Sequence, residues 1–242
     1  RVADEIVDSF HEYDKKTLLD EFVAETYAAI DRGISTNPVL HSFQHVVRTY
    51  NIEREHIQAF FDSMYKDLEK RTYSAEEYDA YIYGSAQVVG LMCLKVFCSG
   101  DQSIYDDLKA GAEALGAAFQ KVNFLRDYKA DKDALGRAYF PNIDFDGLNI
   151  SAKKAIEEDI EKDFKRAKTD ILRLPKCARF GVYTAYLYYY LLFRKIQNSP
   201  LEEILDSRVR INNFNKLMLL PVSKVDLHLQ NYSLYQKMLR NF

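Results

Sequence analysis

Three stretches of this chain are apolar almost all the way round a helix, and that restricts the folds open to it. Tyr81 to Cys98 carries a single charge, Lys95; Ala114 to Leu125 carries only Lys121; Val182 to Phe193 carries none. A helix without a polar face must be buried in a protein core or in a membrane. Tyr81 to Cys98 is marginal for a span of about 20 apolar residues, and Gln87 interrupts it. Core helices of a bundle with a large interior are therefore expected. Only 9 Gly and 5 Pro punctuate the sequence, and the intervals between them show helical rather than strand periodicity. The expected class is all-α, with helices over 1–12, 15–32, 37–49, 53–68, 75–98, 102–131, 151–171, 176–197 and 208–219. Between Asp133 and Ile150, Gly136, Pro141 and Gly147 break the pattern, and this longer connection reads as a flap.

Hydrophobic residues make up 48% of the chain and charged residues 29%, enough apolar surface for a substantial core. No break in composition divides it, so residues 1–242 are read as a single domain. With 33 Lys+Arg against 36 Asp+Glu the net charge is -3. That leaves no basic field to recruit nucleic acid. Cys93, Cys98 and Cys177 form no C-x-x-C pair, which argues against a disulfide framework or a thiolate zinc site. A reducing, cytoplasmic setting fits. The sequence opens at Arg1 rather than Met, so a segment upstream is expected.

The most informative chemistry lies in the second apolar stretch. Gln120, Asn123, Asp127 and Asp131 follow one another by three, four and four residues, which aligns them as one polar stripe on a helix. Ala117, Ala118, Val122 and Leu125 flank it, so the stripe points inward more easily than outward. Buried amides and carboxylates are costly unless paired or metal-bound. Arg126, beside the stripe, can hold a diphosphate oxygen or a neighbouring carboxylate. A second acidic pair, Asp4 and Asp8, shares a helix face with Arg1. Like charges at that spacing repel and gain most from a hard cation such as Mg²⁺; a solvated acidic face is the alternative. His41 and His45 are four apart but lack the Glu of an H-E-x-x-H zinc site.

Two carboxylate helices facing each other across an apolar bundle would place metal at the mouth of a site and hydrocarbon below it. On these motifs the chain resembles the squalene/phytoene synthase family from Arg1 to about Leu220. Arg1-x-x-Asp4-Glu-x-x-Asp8 resembles its first aspartate-rich motif, and Asn123-x-x-Arg126-Asp127-x-x-x-Asp131 its second. Tyr81 to Gly90 resembles the Y-x-x-x-x-A-x-x-V-G helix, and Gly136-Arg137-x-Tyr139-x-Pro141 the G-R-x-Y-x-P loop. Ala130 departs from the acidic residue often found before the last Asp, and the family's Ser- and Phe-containing segment would have to precede Arg1.

The resemblance implies an isoprenoid-synthase helical bundle around a large apolar cavity. It implies head-to-head condensation of two allylic prenyl diphosphates through a cyclopropylcarbinyl diphosphate. Asp4, Asp8, Asn123, Asp127 and Asp131 would hold Mg²⁺, with Mn²⁺ able to replace it. Arg1, Gln120, Arg126, Arg137 and Arg208 would contact diphosphate, with Tyr188 or Tyr189 beside them. Tyr81, with Tyr83 as its rival, would assist proton removal or stabilise the cation. Small residues Gly84, Ala86 and Gly90 are expected to leave cavity space. The leading expectation is phytoene from two geranylgeranyl diphosphates, the first step of carotenoid biosynthesis. The alternatives are squalene or dehydrosqualene synthesis from farnesyl diphosphate, NADPH being needed only for squalene, and a non-catalytic membrane-associated assembly factor. Lipophilic substrates imply peripheral contact with the inner membrane.

Overall fold

The computed structural model describes residues 1–69, 72–135, 139–141 and 148–229. Regular structure among them is helical: α1 (Val2–Ser9), α2 (Lys15–Arg32), α3 (Pro38–Tyr50), α4 (Arg54–Glu69), α5 (Ala75–Ile82), α6 (Val88–Phe97), α7 (Gln102–Ala130), α8 (Ile150–Ile171), α9 (Lys176–Asn198), α10 (Leu201–Asp206) and α11 (Asn213–Leu229). A π-helical turn, Tyr83–Gln87, joins α5 to α6, and a second, Asp131–Leu135, follows α7. The all-α expectation holds. Side-chain caps fix several starts: Asp14, Asn37, Asp101 and Asn149 accept from backbone N–H groups of their helices. Ser74 and Glu77 form a capping box, which satisfies two otherwise orphaned donors.

Three differences from the sequence reading have local causes. The first helix stops at Ser9 instead of running to residue 12. Helix α10 was not anticipated, being only 6 residues long and too short for a periodic signal. Helix α11 begins later than expected and continues through Pro221. Pro221 lies on the exposed side, where water can satisfy the carbonyl that its ring frees.

Two apolar clusters build the interior. The larger draws on α5 to α11 and centres on Leu125, Ile160, Phe164, Leu187 and Phe193. The smaller joins α1 to α4 through Ala3, Ile6, Leu19, Ile57 and Phe61. Helix α6 serves both: Leu91 and Leu94 enter the larger cluster while Met92 and Val96 pack on the smaller. Lys121 of α7 is buried yet paired with Asp159 at 2.5 Å and Asp163 at 2.8 Å on α8. Burial depresses that ammonium, but the two carboxylates outweigh it and raise its pKa.

Helix direction follows from close contacts. A Cβ on Gly116 would lie 2.5 Å from the Ala86 carbonyl oxygen, and one on Gly90 would lie 2.7 Å from that of Ala112. Helices α6 and α7 are therefore antiparallel and packed backbone to backbone. Helix α8 is also antiparallel to α7, since Lys121 meets Asp159 and Asp163 while Gly111 meets Asp170. Helix α9 consequently runs alongside α7 in the same sense, with Phe119 stacked on Tyr189 at 3.9 Å. This corrects the expectation for Gly84; Ala86 and Gly90 do line cavity space, although a neighbouring backbone lies close to each of the two glycines, that of α4 at Gly84 and that of α7 at Gly90. The segment Ala75–Phe97 is long and apolar enough to cross a membrane by length and composition, but here it packs between α4 and α7.

Candidate active site

A cavity of about 600 Å³ opens between α1, α4 and α7. Helix α1 buries Ala3, Ile6 and Val7, which leaves Arg1, Asp4 and Asp8 on the cavity wall. Helix α7 contributes Gln120, Asn123, Arg126 and Asp127, and Asp131 follows at the π-turn. The two acidic segments, more than a hundred residues apart in sequence, thus line one cavity. Below them the wall is Phe22, Leu40, Phe43, Ile57 and Phe60.

Asp127 lies at the centre of the polar rim. The Arg126 Nε donates to its Oδ1 at 3.1 Å and Nη2 to its Oδ2 at 2.5 Å. Arg208, arriving from the segment after α10, places Nε 2.6 Å from Oδ1. Burial lowers the Arg126 pKa, but its hydrogen bonds to Asp127 more than compensate, so the guanidinium remains charged. Arg1 places a guanidinium nitrogen 3.7 Å from the Glu5 carboxylate. The Asn123 Oδ1 is buried and accepts no hydrogen bond. Among the described residues no cluster of three or more His, Cys, Asp or Glu side chains draws together tightly enough to hold a metal ion. The donors around the rim are nevertheless all hard oxygens, four carboxylates and an unsatisfied amide carbonyl, which is the ligand chemistry Mg²⁺ prefers.

Tyr81 and Tyr83 separate clearly. Tyr83 is 37% exposed, while Tyr81 is buried on the cavity wall. The Tyr81 ring lies 5.1 Å from Tyr73, 5.4 Å from Tyr139 and 6.0 Å from Phe124. Its hydroxyl donates to Asp67 Oδ2 at 2.9 Å. Burial, and then the Asp67 charge, push the Tyr81 pKa well above its ordinary value. Tyr81 is thus a neutral donor rather than a phenolate base, and Asp67 is the adjacent group able to take a proton. Sequence reasoning missed Asp67. The available signal was its place on the core face of α4, after Ile57, Phe61 and Met64, where a carboxylate is out of character.

A second apolar groove of about 690 Å³ shares Ser85, Val89, Gln120 and Asn123 with the first cavity and continues between α6, α7 and α9. Tyr189 lines it, while Tyr188 lies beneath Lys216 at 5.9 Å. Arg137 lies outside the described residues, as does half of the connection read as a flap. His41 accepts from the Ser35 backbone N–H at 3.4 Å, away from this rim.

The squalene/phytoene synthase family model matches residues 1–215. The chain belongs to the squalene/phytoene synthase family. A presqualene diphosphate synthase from Rhodopseudomonas palustris is 30% identical over 155 residues, covering 63% of this chain and 53% of the relative. A chloroplastic phytoene synthase from Zea mays is 24% identical over 222 residues, covering 84% and 50%. The chain thus spans about half the length of these curated relatives. A dehydrosqualene synthase solved with a ligand superposes with a TM-score of 0.77 at 18% identity, covering 93% of this chain and 82% of that one, which establishes the shared fold. In this family member both aspartate-rich segments, the Tyr81 helix and Tyr139 meet at one cavity.

Proposed function

We propose that this chain condenses two geranylgeranyl diphosphates head to head, giving phytoene. The observation that supports this reading best is the convergence of Asp4, Asp8, Asn123, Asp127 and Asp131 on one cavity that runs on into an apolar groove. Such a site matches a ligand with a diphosphate at one end and a long hydrocarbon at the other. Those five residues would hold Mg²⁺, which would supply positive charge against a departing diphosphate. Arg126 and Arg208, both paired with Asp127, add charged donors at the same rim.

The chemistry balances as two ionisations. In the first, a C–O bond breaks, one diphosphate leaves, and the double bond next to the diphosphate-bearing carbon of the second substrate attacks the allylic cation; loss of a proton from the former cationic carbon closes the cyclopropane. In the second, the remaining diphosphate leaves, the skeleton rearranges, and another proton is lost to give the linear hydrocarbon. Tyr81, Phe124 and Tyr139 line the same cavity, and aromatic rings stabilise positive charge. Tyr81 holds its hydroxyl toward Asp67, and the pair offers a route for the departing proton. The same residues would serve farnesyl diphosphate, with NADPH required only for squalene. The activity is assigned to a cytoplasmic protein that meets its substrates at a membrane surface.

The test is to incubate the protein with Mg²⁺ and each labelled diphosphate, with and without NADPH, and identify the hydrocarbon. Metal-dependent formation of a C40 product without reductant is expected. Absence of turnover with both substrates would sink the enzymatic reading and leave the non-catalytic assembly role.

A further inference from the structure

The groove beyond Asn123 has a measurable depth. On α7 its lining runs from Asn123 down to Leu108, on α6 from Ser85 down to Phe97, and on α9 from Tyr189 down to Cys177. At 1.5 Å rise per residue these walls are about 18–22 Å long. Near the lower end Asp170 of α8 joins the groove wall and packs on Gly111: a Cβ there would fall 2.4 Å from the Asp170 Cβ. Asp170 is buried and holds Arg173 at 3.2 Å and Arg166 at 3.3 Å. An ion cluster of this kind disfavours hydrocarbon beside it, because contact would strip its hydration without replacing it.

A prenyl chain can be laid against this scale. Each isoprene unit advances by four carbon–carbon bonds, and with bonds of about 1.5 Å it extends roughly 5 Å. Three units therefore cover about 15 Å and four about 20 Å, measured from the first carbon beside Asn123. The wall from Gly111 to Leu108 lies about 18–22 Å from Asn123, which matches the reach of the fourth unit.

The α9 wall divides this length into steps. Ala178, Gly181 and Ala185 all line the groove, at a spacing that puts them on one helix face. Through the Phe119–Tyr189 stack and the shared direction of α7 and α9, Ala185 stands level with Leu115, Gly181 with Gly111 and Ala178 with Leu108. Those levels are about 12, 18 and 22 Å below Asn123. Gly181 is exposed and lines the groove, and a Cβ built on it meets no atom within 4 Å, so a side chain there has no neighbouring helix to displace.

We propose that Gly181 is a chain-length determinant, whose missing side chain admits the fourth isoprene unit and makes the groove selective for a C20 over a C15 tail. This rests on the prenyl diphosphate reading above and deepens it. The test is a ladder of single substitutions, Ala185→Phe, Gly181→Phe and Ala178→Phe, assayed for kcat/KM with farnesyl and geranylgeranyl diphosphates. Affinities for the two corresponding thiodiphosphates, which bind but ionise slowly, are measured in parallel. Wild type should favour the C20 ligand in both measurements. Gly181→Phe should lower the C20:C15 ratio at least tenfold. Ala185→Phe should weaken both ligands, and Ala178→Phe, level with the end of the fourth unit, should move the ratio less than twofold. A wild-type preference for C15, equal losses of both ligands in Gly181→Phe, or the same ratio in all three variants would overturn the proposal. The ladder guards against misfolding, since a general structural defect does not depend on depth. If wild type binds both thiodiphosphates but makes no hydrocarbon, the catalytic reading fails while the affinity ratios still decide the role of Gly181.

Discussion

At the residue scale the site depends on two carboxylates that the structure treats differently. Asp127 faces two arginines, and Asp67 faces a tyrosine. Asp127→Ala should abolish turnover while circular dichroism keeps wild-type helical content; loss of both together would indicate a structural role instead. Tyr81→Phe removes the donor to Asp67. General acid–base assistance is worth roughly 10²–10⁴-fold, so a fall of kcat within that range is expected. If the two act as one unit, Tyr81→Phe and Asp67→Asn combined should cost little more than either alone, whereas additive losses in a double-mutant cycle would separate them. The α7 stripe was legible because polar residues at helical spacing inside an apolar helix conflict with simple burial. Asp67 was not, since a single carboxylate acquires meaning only when the fold sets Tyr81 against it.

At the scale of elements, the close approach of helices was hidden in the sequence. Gly84 and Gly90 read as spacing for a cavity and nothing marked Gly116, yet each of the three receives a neighbouring backbone carbonyl. This can be tested because two effects oppose one another at Gly116. Helix propensity alone predicts that Gly116→Ala stabilises α7 by about 1 kcal/mol. The added methyl would sit 2.5 Å from the Ala86 oxygen, and such overpacking typically costs about 1–3 kcal/mol. The clash should win, because the obstacle is backbone and cannot rotate away. Urea unfolding should show a lower midpoint for Gly116→Ala than for wild type; a raised midpoint would mean that α6 and α7 can part without cost. The π-turn Tyr83–Gln87 was equally unreadable, since the helical periodicity continues on both sides of it. Helix α11 shows the converse: it runs past the expected end at residue 219 and through Pro221, whose exposed position lets water satisfy the freed carbonyl.

At the scale of the whole molecule, the cavity lies between two cores. Helix α1 belongs to the smaller cluster and α7 to the larger, and the two present their carboxylates to the same space. A ligand that engages both walls would therefore tie the halves of the bundle together as well as fill a pocket. Inorganic pyrophosphate with Mg²⁺ is the smallest probe of that coupling, since it carries the charged end of the proposed substrate and none of the tail. A ligand bound only to the folded state at 100 times its Kd stabilises by about 2.7 kcal/mol, which for a chain of this size corresponds to a rise in Tm of roughly 5–11 °C. Neither component alone should produce it, and Asp127→Ala should lose it. Hydrogen exchange adds the spatial test: amides of α1 should slow together with those of α7, although α1 packs on α2 and α4. Protection confined to α7 would show that pyrophosphate binds one wall only, and the two aspartate-rich helices would then not form a single diphosphate site.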